Sequence, residues 1–542
     1  MNRGWSVFAS AWLLLTLLSS AWAMTTPISG APDEPAHIVK AASVARGELV
    51  GVPSEHGHTV TVPQYIATSH DMTCFAFQPA VSADCADSVP EGDSTLVQAE
   101  TSAGLYNPIY YALVGWPSLL VGNESGIYLM RIVSGMVAST FLALCFVLVA
   151  SWARKVLAVL GLVIACTPMV LFLNGVVNPN SLETAAILAA FVALLSIVFQ
   201  PSERLLTQRL VILGISSAFA VNARGLSPLW LAIVLVIPLF LLKWSHLWSL
   251  LRRKSTVVTI GAIIVSVLLA LLWTLSSNSL AAGVSSDVPV TNYPGVGSSH
   301  LTGFITIFRE TFGYANGLIG QFGWLDNTAP AVTLYLWAAL TGFLFVSAVG
   351  VLRGRSLLTF ILLGAAVVIV PAVIQGLYVT KGGFIWQGRY TLPLFVCLVV
   401  GTSALMSDRI TWGDRSTRLR ITGAVLGAAL FAQMIAFAVV LQRYAVGTSS
   451  NLHDFYLSPS WQPPGGVITW LAIYTIVLLT GAIAIYQWLS RESDARALHQ
   501  EAHVDGQPDH GPDRKSQDAP RIEIDRQEEQ HDNSSSRRQP TS

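Results

Sequence analysis

Charge is what this chain lacks. Of its 542 residues only 11% are charged, whereas 53% are hydrophobic. A soluble domain carries about 25% charged residues, so a water-solvated globule is excluded and most of the chain must be solvated by lipid. Lysine and arginine together equal aspartate and glutamate at 31 each, so there is no basic footprint for nucleic acid. Cysteine is scarce too. The five cysteines show no metal-ligand spacing. Cys145, Cys166 and Cys397 lie in apolar runs and read as small hydrophobes. Cys74 and Cys85 share one polar loop; they pair if that loop faces an oxidising compartment, and are two free thiols otherwise.

Long apolar runs, by contrast, abound. A helix needs about 20 apolar residues to cross the bilayer core, and windows of that kind fall near 5–23, 125–150, 156–174, 181–199, 209–223, 227–243, 256–275, 329–351, 356–378, 390–407, 420–441 and 467–489. The pattern predicts an all-α polytopic membrane protein with about twelve spans over residues 1–490. Asn222 and Arg224 interrupt the 209–223 and 227–243 pair. "LYNPIYYALVGWPSLLVG" (105–122) is apolar but rich in Tyr, Trp and Pro, and is expected to be interfacial or re-entrant. The segment 491–542 is polar, with few apolar residues, and is expected to be a disordered cytoplasmic tail.

Orientation follows the Lys/Arg bias. With the N-terminus inside, fifteen lysines and arginines fall in inner segments and seven in outer ones. Both termini are then cytoplasmic, and 24–124 is a long first outer loop with interfacial helices. "MNR", an apolar run and "AWA" (21–23) also fit a cleaved signal peptide, with the same sidedness downstream.

The outer side carries the unusual residues. In "SGAPDEPAHIVKAA" (29–42), Pro35 suits the first turn of a helix whose apolar positions Ile38, Ala41, Ala42, Ala45 and Leu49 recur at helical spacing. With Lys40 and Arg46 beside that stripe, the helix is expected to lie in the membrane interface. Asp33 falls at the N-cap position, on one face with His37. It is either a simple cap or a carboxylate at a cavity rim, kept ionised by the helix N-terminus. "GQFGWLDNTAP" (320–330) offers Asp326, either a helix cap or a site acid. "FIWQGRYTLPLF" (384–395) offers Gln387, Arg389 and Tyr390 at a span start, where an arginine either snorkels to head groups or grips a phosphate. Arg131 lies within a span, where charge is expensive; it either contacts substrate or pairs with Glu124. "NPNSLET" (178–184) reads as a capping box through Asn180 and Glu183. His56, His58 and His70 share the first outer loop without metal spacing and read as solvated.

Taken in order, "PDEPAH", "NPIYY" (107–111), "GWLDNTAP" and "QGRYTLP" (387–393) resemble the bacterial domain-of-unknown-function family 2142 from about residue 10 to about residue 490. That family is similar to the GT-C superfamily of polytopic glycosyltransferases, whose members carry an acidic residue in the first outer loop and use a polyprenyl-phosphate-linked sugar donor. The resemblance implies a GT-C-like fold and Asp33 as the leading catalytic residue with Glu34 beside it; it says less about Arg389 and Asp326. Substrate contacts from His37, Arg131, Arg224, Asp326, Gln387, Arg389 and Tyr390 are expected from the local chemistry of those residues at the outer face. Where the family often ends the "NPN" stretch in Asp, this chain has Asn180, and it has no large C-terminal outer domain. The expected partners are the lipid-linked donor, an envelope glycan or lipid acceptor and membrane lipid; a divalent cation is left open as cofactor. The rival class is a transporter or lipid-carrier flippase. It is disfavoured because the acids gather at the outer rim, whereas transporters bind near mid-membrane, and because the two halves of the span series show no repeat.

Overall fold

The computed structural model describes residues 2–54, 57–89, 94–279, 294–410 and 414–505. His56, the 280–293 part of an expected outer stretch and most of the 491–542 tail lie outside them. Residues Met1–Ser490 form one compact unit.

Ten helices among the described residues are long and apolar enough to cross a membrane. Each of the twelve windows read from sequence contains helix, but two differ from the simple span expected. The 156–174 window is a pair, Val156–Ala165 and Pro168–Asn174, bent by 62°. Its cause is local. Pro168 has no N–H to continue the first helix, and Thr167 Oγ accepts from Val170 N at 3.3 Å to start a second one. The 227–243 window holds the shorter apolar helix Ser227–Leu241, divided from Glu203–Val221 by the turn that carries Asn222 and Arg224.

Helix α1 (Asn2–Thr25) runs along Glu124–Ala150, with the Trp12 indole donating to Met136 O at 3.3 Å and to Thr140 Oγ1 at 3.1 Å. Near its far end Trp22 sits among Phe172, Phe322, Phe437 and Tyr474, ring centroids 5.1–6.2 Å away. The helix Leu392–Ser407 is buried along its whole length, while in Lys254–Ser276 only Thr256 and Ala270 are. The first is a central post and the second presents apolar side chains outward, as lipid requires.

The first long loop is built by α2 (Glu34–Ala45), a three-stranded antiparallel sheet of β1 (Val52–Ser54), β2 (Gly57–Pro63) and β3 (Leu96–Thr101), and α3 (Pro108–Gly115). Helix α2 departs from expectation. All its residues but Ala45 are buried in protein, so it does not float in the membrane interface. Lys40 is buried with it and donates to the carbonyls of Leu49 and Gly104, and burial pushes its ammonium down to about 8. Gly115 makes the closeness possible, since a Cβ there would stand 2.0 Å from Ala41 O. The 105–122 segment becomes α3 and a 3-10 turn, Trp116–Leu119. Its tyrosines 110 and 111 face inward, and Trp116, Leu119 and Leu120 face outward.

Candidate active site

The chain leaves α1 through a tight loop, 26–33, in which Ser29 and Asp33 both have positive φ, 63° and 65°. Aspartate tolerates the left-handed region better than most residues, and such outliers concentrate where function needs them. At Asp33 the conformation has a direct consequence. The side chain makes no capping bond to α2; it turns instead to Arg389, whose Nη2 donates to Asp33 Oδ2 at 2.7 Å. The capping alternative is therefore not realised. The Asp33 side chain is 50% exposed, and that of Arg389 only 2%.

Burial pushes the Asp33 carboxyl up, but Arg389, His37 and Arg224, in that order, together hold it below its ordinary value. Asp33 is thus ionised at neutral pH. Its helical neighbour His37 is pushed down to about 3 by burial and is neutral, with Nδ1 at 2.9 Å from the Tyr111 hydroxyl. Arg389 is left with Nε and Nη1 buried and without a partner, and the Oε1 of Gln387 is likewise unpartnered. Unsatisfied buried donors are costly, and donors on a guanidinium suit an anion that brings several oxygens.

Tyr390 joins this centre to a second arginine. Its ring lies 4.8 Å from the Arg224 guanidinium and 5.5 Å from that of Arg389. Arg224 donates to Asn180 Oδ1 and interacts with the Tyr106 hydroxyl. This corrects the capping-box reading of "NPNSLET". Asn180 does not cap its helix, whose N-cap is Pro179 without a side-chain bond, and Glu183 Oε1 accepts from Ser227 Oγ at 2.6 Å. Asn180 and Tyr106 were not marked as site residues by the sequence. The signal lay in the motifs themselves, "NPN" and "LYNPIYY", each placing polar or aromatic groups beside prolines at the ends of apolar runs.

Three other expected site residues belong to buried scaffolds. Arg131 pairs not with Glu124 but with Glu34, through Nε to Oε1 and Nη2 to Oε2, both 2.7 Å. It also donates to the carbonyls of Ala23, Thr26 and Pro27, while Glu34 Oε1 accepts from Val177 N at 3.1 Å. Both side chains are 0% exposed. This corrects Glu34 as a second catalytic acid and Arg131 as a substrate contact, because their polar atoms are spent on each other and on the loop that carries Asp33. Asp326 is also withdrawn from any substrate. Arg443 Nη2 donates to its Oδ2 at 2.8 Å, Trp324 N donates to its Oδ1 at 3.0 Å, and both acid and base are nearly inaccessible. Arg443 further donates to the carbonyls of Val81 and Phe75, inside the loop closed by the Cys74–Cys85 disulfide.

No group of three or more metal-ligating side chains occurs among the described residues. His58 and His70 lie apart in the sheet region, with His70 Nε2 against Glu100 O at 2.9 Å.

These features define a polytopic helical membrane protein with a half-exposed, ion-paired, arginine-rich centre where its first loop meets the bundle. The chain belongs to the family described as "Predicted membrane protein (DUF2142)", which matches residues 15–398. The match ends earlier than the resemblance suggested, yet it takes in Asp33, Asn180, Arg224, Arg389 and Tyr390. No curated protein matches the chain. Among solved structures, the crystal structure of ArnT from Cupriavidus metallidurans in the apo state is similar at 13% identity, covering 90% of this chain and 77% of that one, with a TM-score of 0.44. That likeness is loose.

Proposed function

We propose that this protein is a GT-C-type glycosyltransferase that moves a sugar from a polyprenyl-phosphate donor to a cell-envelope glycan or lipid on the outer face of the plasma membrane, with both termini cytoplasmic. One observation carries the reading. Asp33 is a half-exposed, ionised carboxylate, set on a left-handed turn away from its capping role, against an arginine that keeps buried donors free.

In the reaction, the acceptor oxygen attacks the anomeric carbon and its proton passes to Asp33. The bond between that carbon and the phosphate oxygen breaks, and the polyprenyl phosphate leaves with the bonding electrons. Arg389 and Arg224, braced across Tyr390, receive the phosphate charge. General-base help is worth about 10²–10⁴-fold, and a well-aimed donor to the leaving charge about 10²–10³-fold. Gln387, whose Oε1 has no partner, meets the substrate beside Arg389, whereas His37, expected as a substrate contact, is buried against the Tyr111 hydroxyl and does not. Glu34, Arg131 and Asp326 hold the loops in place and do not touch substrate.

Purified protein should transfer label from a polyprenyl-phosphate sugar to envelope lipid or glycan extracts. Arg389→Lys should lose most donor affinity, because an ammonium cannot replace the fork of guanidinium donors. Movement of a lipid-linked precursor across the bilayer without bond exchange would transfer the protein to the transporter class. Unchanged donor binding in Arg389→Lys would remove Arg389 from the phosphate site.

A further inference from the structure

At the opposite end of the bundle, an open groove of about 820 Å³ lies between the start of α1, the end of Glu124–Ala150, the start of Glu203–Val221 and Trp488. Its distance from Asp33 follows from α1, whose 24 residues at about 1.5 Å rise separate the two ends by roughly 36 Å. Apolar side chains such as Phe8 and Val147 form its walls, and no carboxylate is among the described residues that line it. Arg204 and Arg209 stand at its rim. Arg209 is 3% exposed; it donates to Ser196 O at 2.7 Å and Ser151 Oγ at 3.1 Å, yet its Nε has no partner. An apolar trough with a cationic, aromatic rim matches one kind of occupant. Acyl chains suit the walls, a phosphate suits the arginines, and tryptophan settles at head-group level.

We propose that this groove is a binding site for an anionic glycerophospholipid, separate from the Asp33 centre. The charge complementarity and the free, buried Nε of Arg209 select an anionic head group over a zwitterionic one. Volumes of about 300–1,000 Å³ are typical of small-molecule sites, so the groove holds the head group and upper chain segments while the tails continue into the bilayer.

The test is native mass spectrometry of the full-length protein in neutral detergent, with phosphatidylglycerol and phosphatidylcholine of identical chains. Phosphatidylglycerol should be retained at least about five-fold more tightly, the effect of one juxtamembrane cation near an anionic head group. Arg204→Gln, at an exposed position that should not disturb folding, should reduce that preference about five-fold. Val147→Trp should reduce retention of both lipids by filling the trough, and Val147→Phe replaces it should the larger ring prevent folding. Equal retention of the two lipids, a preference undiminished in Arg204→Gln, or retention undiminished in the Val147 variant overturns the proposal. So does a polyprenyl monophosphate that binds the groove more tightly than phosphatidylglycerol.

Discussion

At the residue scale, two acids adjacent in sequence have opposite fates. Asp33 points into an accessible centre and Glu34 into the protein, because the left-handed turn at Asp33 rotates one side chain away from the next. That divergence was not legible in "PDEPAH". Glu34 finds Arg131 across 97 positions, and no local pattern announces so distant a partner. Arg389 and Tyr390 were legible, since polar groups at the mouth of an apolar run need a reason to be there. The Glu34–Arg131 pair predicts a stability phenotype. Glu34→Gln should leave a buried guanidinium without its counter-charge and cost about 3–5 kcal/mol, read as thermal unfolding in detergent. Adding Arg131→Met should recover part of that loss, and if the double variant is less stable than the single one the pair is not the cause. For Asp33 the prediction concerns pH. A base works when deprotonated, so activity falls as pH drops through its pKa, which in the free protein lies below the usual 3.8 because Arg389 faces it. A donor phosphate that takes over Arg389 brings negative charge towards Asp33 and raises that pKa. The acid limb of kcat, which reports the bound complex, should therefore lie at higher pH than the titration of Asp33 in donor-free protein. Coincident limbs would contradict phosphate binding at Arg389.

At the element scale, hydropathy located the helices because lipid leaves little freedom in how an apolar run is satisfied. Two features depended on tertiary context and escaped it. The bend at Pro168 turns one window into two helices, and α2 is covered by α3 and the sheet although its stripe of alanines resembles an interfacial helix. Small side chains serve close packing as well as they serve a lipid surface, so composition alone does not separate the two. The loop closed by Cys74 and Cys85 is the element most open to test. Its carbonyls hold Arg443, and Arg443 holds Asp326. Cys74→Ser with Cys85→Ser should cost about 3 kcal/mol by releasing a loop of this length, and should lower thermal stability in oxidising buffer while leaving donor affinity intact. A loss of donor affinity as large as that of Arg389→Lys would place this loop in the binding site.

At the scale of the whole molecule, the Asp33 centre and the cationic groove occupy opposite ends of one bundle. Sidedness decides what each end can meet. The Lys/Arg bias predicts that the Asp33 end faces outward, which suits both a disulfide and an envelope acceptor. In a variant lacking Cys74 and Cys85, Val52→Cys in β1 offers an exposed probe on that side. An impermeant maleimide should label it in intact cells. Labelling only after the membrane is broken would invert the topology and remove the proposed acceptor.

The central claim rests on the carboxylate of Asp33, and Asp33→Asn isolates it. Asparagine keeps the size, tolerates the left-handed turn and still offers Arg389 an oxygen, so that only charge and basicity are lost. The measurement is sugar transfer by the purified variant alongside its affinity for the polyprenyl-phosphate donor. The account predicts donor binding close to that of the unaltered protein and transfer reduced by about 10²-fold or more. Near-normal transfer by a well-folded Asp33→Asn protein would contradict it.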